Sequence, residues 1–214
     1  MNQALLEQIH GGAHELGLGL SAEAEEKLAT YLRLLAKWNR IYNLTAVRDE
    51  GAMVSQHLLD SLAVLPFLKS NLKTLRTLAD VGSGGGLPGI PLAIACPQIQ
   101  VELIEASHKK ASFLEQARIE LKLANVSVHC GRVEAFKPKE LFDVVISRAF
   151  SSLADFVQLA AHLLAPGGRL LAMKGVHPQE EIEQLPSGWK VRQSVPMNVP
   201  KLNAHRDLIV IERA

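Results

Sequence analysis

Fourteen residues, DVGSGGGLPGIPLA from Asp80 to Ala93, set five glycines behind a carboxylate and ahead of an apolar run. Glycine adopts positive φ readily and lets a ligand approach the backbone closely. A helix opened by Leu87-Pro88 would turn free amides and its dipole toward that ligand. Two fingerprints overlap here. Gly84-x-Gly86-x-x-Gly89 fits a dinucleotide loop, whereas Asp80-x-Gly82-x-Gly84-x-Gly86 fits a methyl-donor loop. A dinucleotide brings a pyrophosphate, which an acid at the loop repels. S-adenosyl-L-methionine brings an ammonium and a sulfonium, which Asp80 suits, although Asp80 can also serve as a cap for loop amides. Glu105 closes the next apolar run, where a carboxylate accepts hydrogen bonds from ribose hydroxyls.

The elements around these residues follow from hydrophobic period. Apolar runs at 75–81, 101–105, 126–130, 142–147 and 169–174 predict strands, and helical patterns at 88–96, 109–123 and 153–164 fall between them. Strands that are apolar throughout and joined by helices indicate a parallel sheet covered on both faces. Two further strand-like runs, 189–195 and 208–212, predict a terminal antiparallel hairpin. The first third reads as helical. Ser21 is the expected N-cap of a helix with early acids Glu23, Glu25 and Glu26 and a buried stripe of Leu28, Tyr31, Leu32, Leu35, Trp38 and Tyr42. A second helical run, 52–67, carries His57, Leu58, Ser61, Leu62 and Leu65 along one side and is expected to end at Pro66. The organisation expected is one α/β domain, residues 71–214, with a helical extension, 1–70, packed on it.

Composition narrows the class. The 214 residues are 48% hydrophobic and 21% charged, enough for a sizeable core. No apolar run is read as long enough to cross a bilayer, and MNQALLEQIH lacks the basic start of a signal peptide. Cys96 and Cys130 form neither a disulfide framework nor a zinc set and are read as small apolar residues. A reducing, cytoplasmic setting is expected. The net charge of +1 hides an uneven distribution: acids alone before Lys27, then only Lys27, Arg33, Lys37, Arg40 and Arg48 as far as residue 48. Lys190, Arg192, Lys201 and Arg206 form a second acid-free stretch. Such asymmetry marks either a nucleic-acid face or a solvated surface.

The run DVGSGGGLPGIPLAI, with WNRIYNLTAV and HLLDSL before it and SRA and MKG after it, resembles the bacterial glucose-inhibited-division protein B family, also called RsmG. The resemblance covers nearly the whole chain in order. It implies a Rossmann-like class I S-adenosyl-L-methionine-dependent methyltransferase, with a mostly parallel seven-stranded sheet and an antiparallel C-terminal hairpin. It also implies methylation of N7 of a guanine in 16S ribosomal RNA, at position 527 in the 530 loop. The expected partner is therefore 16S ribosomal RNA or the small ribosomal subunit, with no membrane involved and the chain acting as a monomer. Carried over by position, the cofactor contacts fall on Gly82, Leu87, Glu105, Ala106, Ser107, Val133, Glu134 and Arg148, to which the loop reading adds Asp80, Gly84 and Gly86. Glu134 has a plainer role as an acid at a helix start, and Asn43-Leu44-Thr45, a helix end and cap, is admitted near the cofactor.

Residues absent from the chain fit this reaction. SRAFSSL holds no Asn/Asp-Pro-Pro-aromatic element of the kind used on exocyclic amines, and neither cysteine has the setting of a carbon-methylating nucleophile. Guanine N7 already carries an in-plane lone pair, so orientation and desolvation matter more than acid–base help. No residue is expected as a catalytic acid or base, and no metal is expected. Arg148 and Lys174, just past the fourth and fifth strands, are expected to position RNA phosphates or the guanosine, with a salt-bridged role as the alternative. His57, Asp60 and Ser61 are read as pins between the N-terminal helices and the sheet, and Lys109-Lys110 as a solvated face. Arg206, beside His205, suits RNA contact and surface packing equally. Two rival functions stay open on the residues: an NAD-dependent oxidoreductase, and a non-catalytic RNA-binding or assembly factor.

Overall fold

The computed structural model of the chain describes residues 3–72, 74–148, 150 and 152–214. Ala149 and Ser151 of the SRAFSSL run lie outside the described residues. The chain opens with α1 (Gln3–Glu15) and α2 (Ala22–Tyr42). A nearly continuous helical run follows: α3 (Glu50–Met53), a π-helical turn (Val54–Leu59), α4 (Asp60–Leu62) and α5 (Leu65–Asn71). The α/β part then alternates β1 (Thr77–Val81), α6 (Gly89–Ala95), β2 (Gln100–Glu105), α7 (His108–Glu120), β3 (Val126–Cys130) and β4 (Phe142–Ser147). It closes with α8 (Leu153–Ala160), β5 (Leu164–Lys174), α9 (Gln179–Glu183), β6 (Trp189–Pro196) and β7 (Asp207–Arg213).

The seven strands form one sheet in the order β3-β2-β1-β4-β5-β7-β6. β1 to β5 pair in parallel, and β7 pairs antiparallel with both β5 and β6. The terminal hairpin is present, with its second strand inserted between β5 and the first. Burial explains the inversion. DLIVIER of β7 is buried through its first five residues and suits an interior position, whereas β6 alternates toward solvent and suits an edge.

Ser21 caps α2, its hydroxyl accepting from Ala24 N at 3.2 Å. Leu28, Tyr31, Leu32 and Leu35 are fully buried as the stripe requires, but Trp38 is half-buried and Tyr42 exposed. The stripe ends early because the last turn of α2 runs past the helices it packs on, with Trp38 still against Phe113 of α7. Pro66 is a second correction: it stands in the first turn of α5, where a missing N–H costs nothing, and does not end a helix. A third concerns length. The helical stretch Glu50–Asn71 is long and apolar enough to cross a membrane, with mean hydropathy 1.2 over its best window, yet 72% of that window is buried inside the protein. Its apolar residues fill the core. Leu58, Leu59 and Leu62 join Ile9 of α1, Leu28 of α2 and Leu103 of β2 in one continuous apolar cluster.

Candidate functional site

The glycine loop follows β1 and is held from three sides. Gly84 and Gly86 have φ of 58° and 86°, a region where any Cβ is strained. From β2, Glu105 accepts Gly84 N at Oε2 and Ser107 N at Oε1, both at 2.8 Å, so one carboxylate ties the loop to the next turn. Each oxygen keeps a spare lone pair, which leaves capacity for ribose hydroxyls. From α2, the buried Tyr31 hydroxyl donates to Gly85 O at 2.5 Å. Burial pushes that phenol well above its ordinary pKa, so it stays a donor.

Asp80 lies beneath the loop and is fully buried. Its Oδ2 accepts Gly89 N at 2.9 Å, the amide at the head of α6, so the capping role is present. A Cβ on Gly89 would come within 2.3 Å of Leu103 Cδ2 and 2.8 Å of Asp80 Oδ2. Gly89 therefore serves close packing of α6 on β2, a role that the dinucleotide fingerprint also gives its third glycine, so the choice of ligand falls to Asp80. Asp80 Oδ1 is the one buried side-chain oxygen without a hydrogen-bond partner among the described residues. Desolvation raises the Asp80 carboxyl to about 7, against the lowering effects of Gly89 N and the Arg148 guanidinium. A buried carboxyl with one unpaired oxygen fits a cationic ligand and does not fit a pyrophosphate.

Loss of the Tyr31 hydroxyl leaves a buried carbonyl unpaired without changing shape. Tyr31→Phe is expected to cost about 1–3 kcal/mol and to weaken S-adenosyl-L-methionine binding by about fivefold. Thermal melts and calorimetric titration read the two effects, and an unchanged affinity would show that the loop does not depend on α2.

Beyond the loop a crevice of ≈ 230 Å³ opens at the carboxyl ends of β1 to β3. Gly82, Glu105, Ala106, Val133 and Glu134 line it, so the structure brings together five of the residues singled out in the sequence. Glu134 is the second residue of a short 3-10 turn, and its carboxylate pairs with Arg132 Nε at 2.5 Å, which holds it below its ordinary pKa. Asp80, Gly84, Gly86, Leu87 and Ser107 do not line the crevice. Leu87 is buried, its N–H bonded to Ser83 O, and Ser107 N is taken by Glu105. These residues shape the loop from behind.

A second cavity of ≈ 330 Å³ opens across the carboxyl ends of β4 and β5, lined by Gln56, His57, Asp60, Arg148, Lys174 and Arg206 among others. Strand order reverses between β1 and β4, and the two cavities flank that switch point, where doubly wound folds bind ligands. Asp60 is buried at the floor and receives Arg148 Nη1 at 3.2 Å and Arg206 Nε at 2.8 Å. It therefore pins the helical extension to the sheet. Lys174 donates to both Glu181 oxygens, at 3.0 and 2.8 Å, so its ion-paired role is the one present. The same Glu181 accepts Leu153 N at 2.7 Å, linking β5, α8 and α9.

His57 and Ser61 pin the fold differently from the expected mutual bonds. His57 Nδ1 donates to Gln56 O, so the tautomer leaves Nε2 to accept from Thr45 Oγ1 at 2.7 Å. Burial and Arg148 lower the His57 pKa to about 4, which keeps the ring neutral near pH 7. Ser61 Oγ donates to His57 O. Asn43 ends α2 in the left-handed conformation, and the buried Asn39 accepts Thr45 N and donates to Val47 O, folding 43–47 back toward His57. Cys96 is buried as expected, but Cys130 is exposed at the end of β3, with Sγ 3.2 Å from His108 Nδ1. Tyr31, Arg132, Phe150 and the Asp60–Arg206 pair were not legible as site residues. Only the helical stripe and the basic C-terminal stretch gave any signal for them.

Known proteins share this fold and much of this sequence. Solved structures of similar fold include the O-methyltransferase TomG of Streptomyces achromogenes, in complex with SAM, at TM-score 0.58 and 19% identity over 86% of this chain and 89% of that one. A SAM-dependent methyltransferase from Thiobacillus denitrificans, bound to S-adenosyl-L-homocysteine, aligns at TM-score 0.54 and 15% identity over 82% and 98%. Among curated relatives, ribosomal RNA small subunit methyltransferase G of Aromatoleum aromaticum is 57% identical over the whole of both chains. Its counterpart in Laribacter hongkongensis is 54% identical over 96% of this chain and 97% of its own. The family description rRNA small subunit methyltransferase G matches residues 24–210, and this chain, with both cavities inside that span, belongs to the GidB family.

Proposed function

We propose that this chain transfers a methyl group from S-adenosyl-L-methionine to N7 of a guanine in 16S ribosomal RNA, at position 527 in the 530 loop. The observation that carries the reading is the family match over residues 24–210. We assign residues 71–214 to the methyltransferase domain and 1–70 to an extension packed on it, and we take the protein to act as a cytoplasmic monomer.

Bound in the crevice, the cofactor supplies an electrophilic methyl group on a sulfonium. Glu105 would take the ribose hydroxyls while keeping Gly84 in place. Val133 and Glu134 would border the adenine, and the Asp80 carboxylate, buried behind the loop, would favour the positive charge of the methionine part through its field and not by contact. Arg148 stands between the two cavities, attracted to Asp60 on one side and felt by Asp80 on the other. It would orient the cofactor's carboxylate or the RNA phosphate beside the transferred methyl. Lys174 would act by holding Glu181 and the chain after β4 in position. Since N7 bears no proton, the residues need only align the base and exclude water.

The test is mapping of N7-methylguanine on small-subunit ribosomal RNA from cells with and without the protein. Loss of one such site in cells lacking it, restored by the wild-type gene, is the expected result. An unchanged map would refute the reading. Tight binding of NAD(H) in place of S-adenosyl-L-methionine would instead favour the oxidoreductase, to which the carboxylates behind the loop are unsuited.

A further inference from the structure

The far end of α2 is a surface feature that the two cavities leave unexplained. Lys27, near its start, lines a cavity with Gln100 at the head of β2 and Lys122 past the end of α7. α2 therefore begins at the amino edge of the sheet and runs antiparallel to α7. By Tyr31 it has reached the glycine loop at the carboxyl edge. Tyr42 stands eleven residues later, roughly 16 Å further along the helix axis. Leu35 still lies against Gly85, so the last two turns of α2 extend past the cofactor loop on the side of the carboxyl ends of the strands.

That projecting end has the composition of a nucleic-acid contact. Ile41 is 71% and Tyr42 42% exposed, an unusual outlay of apolar surface at a helix end. The Tyr42 ring is backed by Trp38 at 5.2 Å, and Trp38 packs on Phe113 of α7 at 5.6 Å. Its orientation is therefore braced before any ligand arrives. Lys37 and Arg40 are exposed on the last turns of α2 and Arg48 on the loop after it, and Lys109, also exposed, lies one turn before Phe113 at the head of α7. No carboxylate pairs with any of these four cations among the described residues. Loop 43–47 then leads through the Thr45–His57 hydrogen bond to the rim of the cavity holding Arg148 and Arg206.

Resting on the function proposed above, we infer that the end of α2 is a docking surface for single-stranded RNA flanking the target guanine. An unpaired base stacks on Tyr42, and Lys37, Arg40, Arg48 and Lys109 hold the neighbouring phosphates. Base–aromatic stacking needs only a π-face, and the cations carry the salt dependence.

The experiment compares wild type, Tyr42→Ala, Tyr42→Phe and a Lys37→Ala/Arg40→Ala/Arg48→Ala triple variant. A labelled single-stranded RNA, a duplex RNA of equal length and S-adenosyl-L-methionine are the three probes, with methylation of 30S subunits lacking the modification as a further readout. Tyr42→Ala is expected to weaken single-stranded RNA binding by about tenfold and to raise the KM for 30S subunits, with cofactor binding, kcat and duplex binding unchanged. Tyr42→Phe is expected to behave as wild type. The triple variant is expected to lower the slope of log K against log salt by about 2. Single-stranded RNA binding unchanged in Tyr42→Ala, or lost equally in Tyr42→Phe, would overturn the inference. So would a defect of Tyr42→Ala confined to 30S subunits, which would point to a ribosomal protein. If wild type itself methylates no ribosomal RNA, the proposed function fails, whereas a methylating wild type with an indifferent Tyr42→Ala defeats only the docking surface.

Discussion

Glu105→Ala is expected to abolish useful cofactor binding, raising the S-adenosyl-L-methionine Kd at least about a hundredfold. Two losses add. The Gly84 and Ser107 amides lose their shared acceptor, and each unsatisfied buried amide costs about 1–3 kcal/mol. The crevice also loses the carboxylate assigned to the ribose. Water entering the vacated space softens the first loss, so a stability cost near 2 kcal/mol, about 4–8 °C in Tm, is the expectation. Glu105→Gln should fall between. Its carbonyl serves one amide, and its NH₂ opposes the other. Calorimetric titration and thermal melts on the three proteins check the order. Cofactor affinity preserved in Glu105→Ala would remove this residue from the site.

The second large effect concerns Asp80 and is visible through pH. In the unfolded chain its pKa is 3.8, whereas desolvation in the folded protein raises it to about 7. Between these values the folded state binds more protons than the unfolded state, so stability falls as pH rises from about 4 to about 7 and then levels. Cofactor binding should run the opposite way, because a cationic ligand favours the ionised carboxylate. Wild type is expected to bind S-adenosyl-L-methionine more tightly at pH 8 than at pH 6. Asp80→Asn should be insensitive over that range, at least as stable at pH 8, and about tenfold weaker in binding there. S-adenosyl-L-homocysteine lacks the sulfonium charge but keeps the ammonium, so its titration tells which cation Asp80 serves. A flat pH profile in wild type would leave Asp80 with its capping bond to Gly89 alone.

Much of the architecture was legible because burial writes itself into local pattern. Val126–Cys130 and Phe142–Ser147 are found at their expected bounds, since the first alternates as an edge strand and the second is a buried apolar run, each bounded by loop residues. The insertion of β7 was not legible from strand count, although the denser apolar run of DLIVIER carried the information. Pro66 misled because proline is as suited to a helix's first turn as to the end of the helix before it. Within the site, the loop and the carboxylate after β2 were visible because both sit in one βαβ unit. What joins the two halves of the protein was not. Tyr31 meets Gly85 across 54 positions and Asp60 meets Arg206 across 146, and no periodicity connects such pairs. Arg148 and Lys174 could be placed at the correct edge by strand counting alone. Their partners, Asp60 and Glu181, required the fold.

The Asp60 junction carries a consequence for how the protein comes into being. Its carboxylate is translated well before one of its two arginines, Arg206, which follows 146 positions later. During synthesis the helical extension, β1 and the glycine loop emerge first and can associate locally. The buried acid keeps an incomplete set of counter-charges until the last strand threads between β5 and β6. The crevice is thus lined by residues no later than Leu159, while its neighbouring cavity also needs Arg206. A chain cut short before Arg206 would retain the glycine loop yet leave the second chamber open on one side.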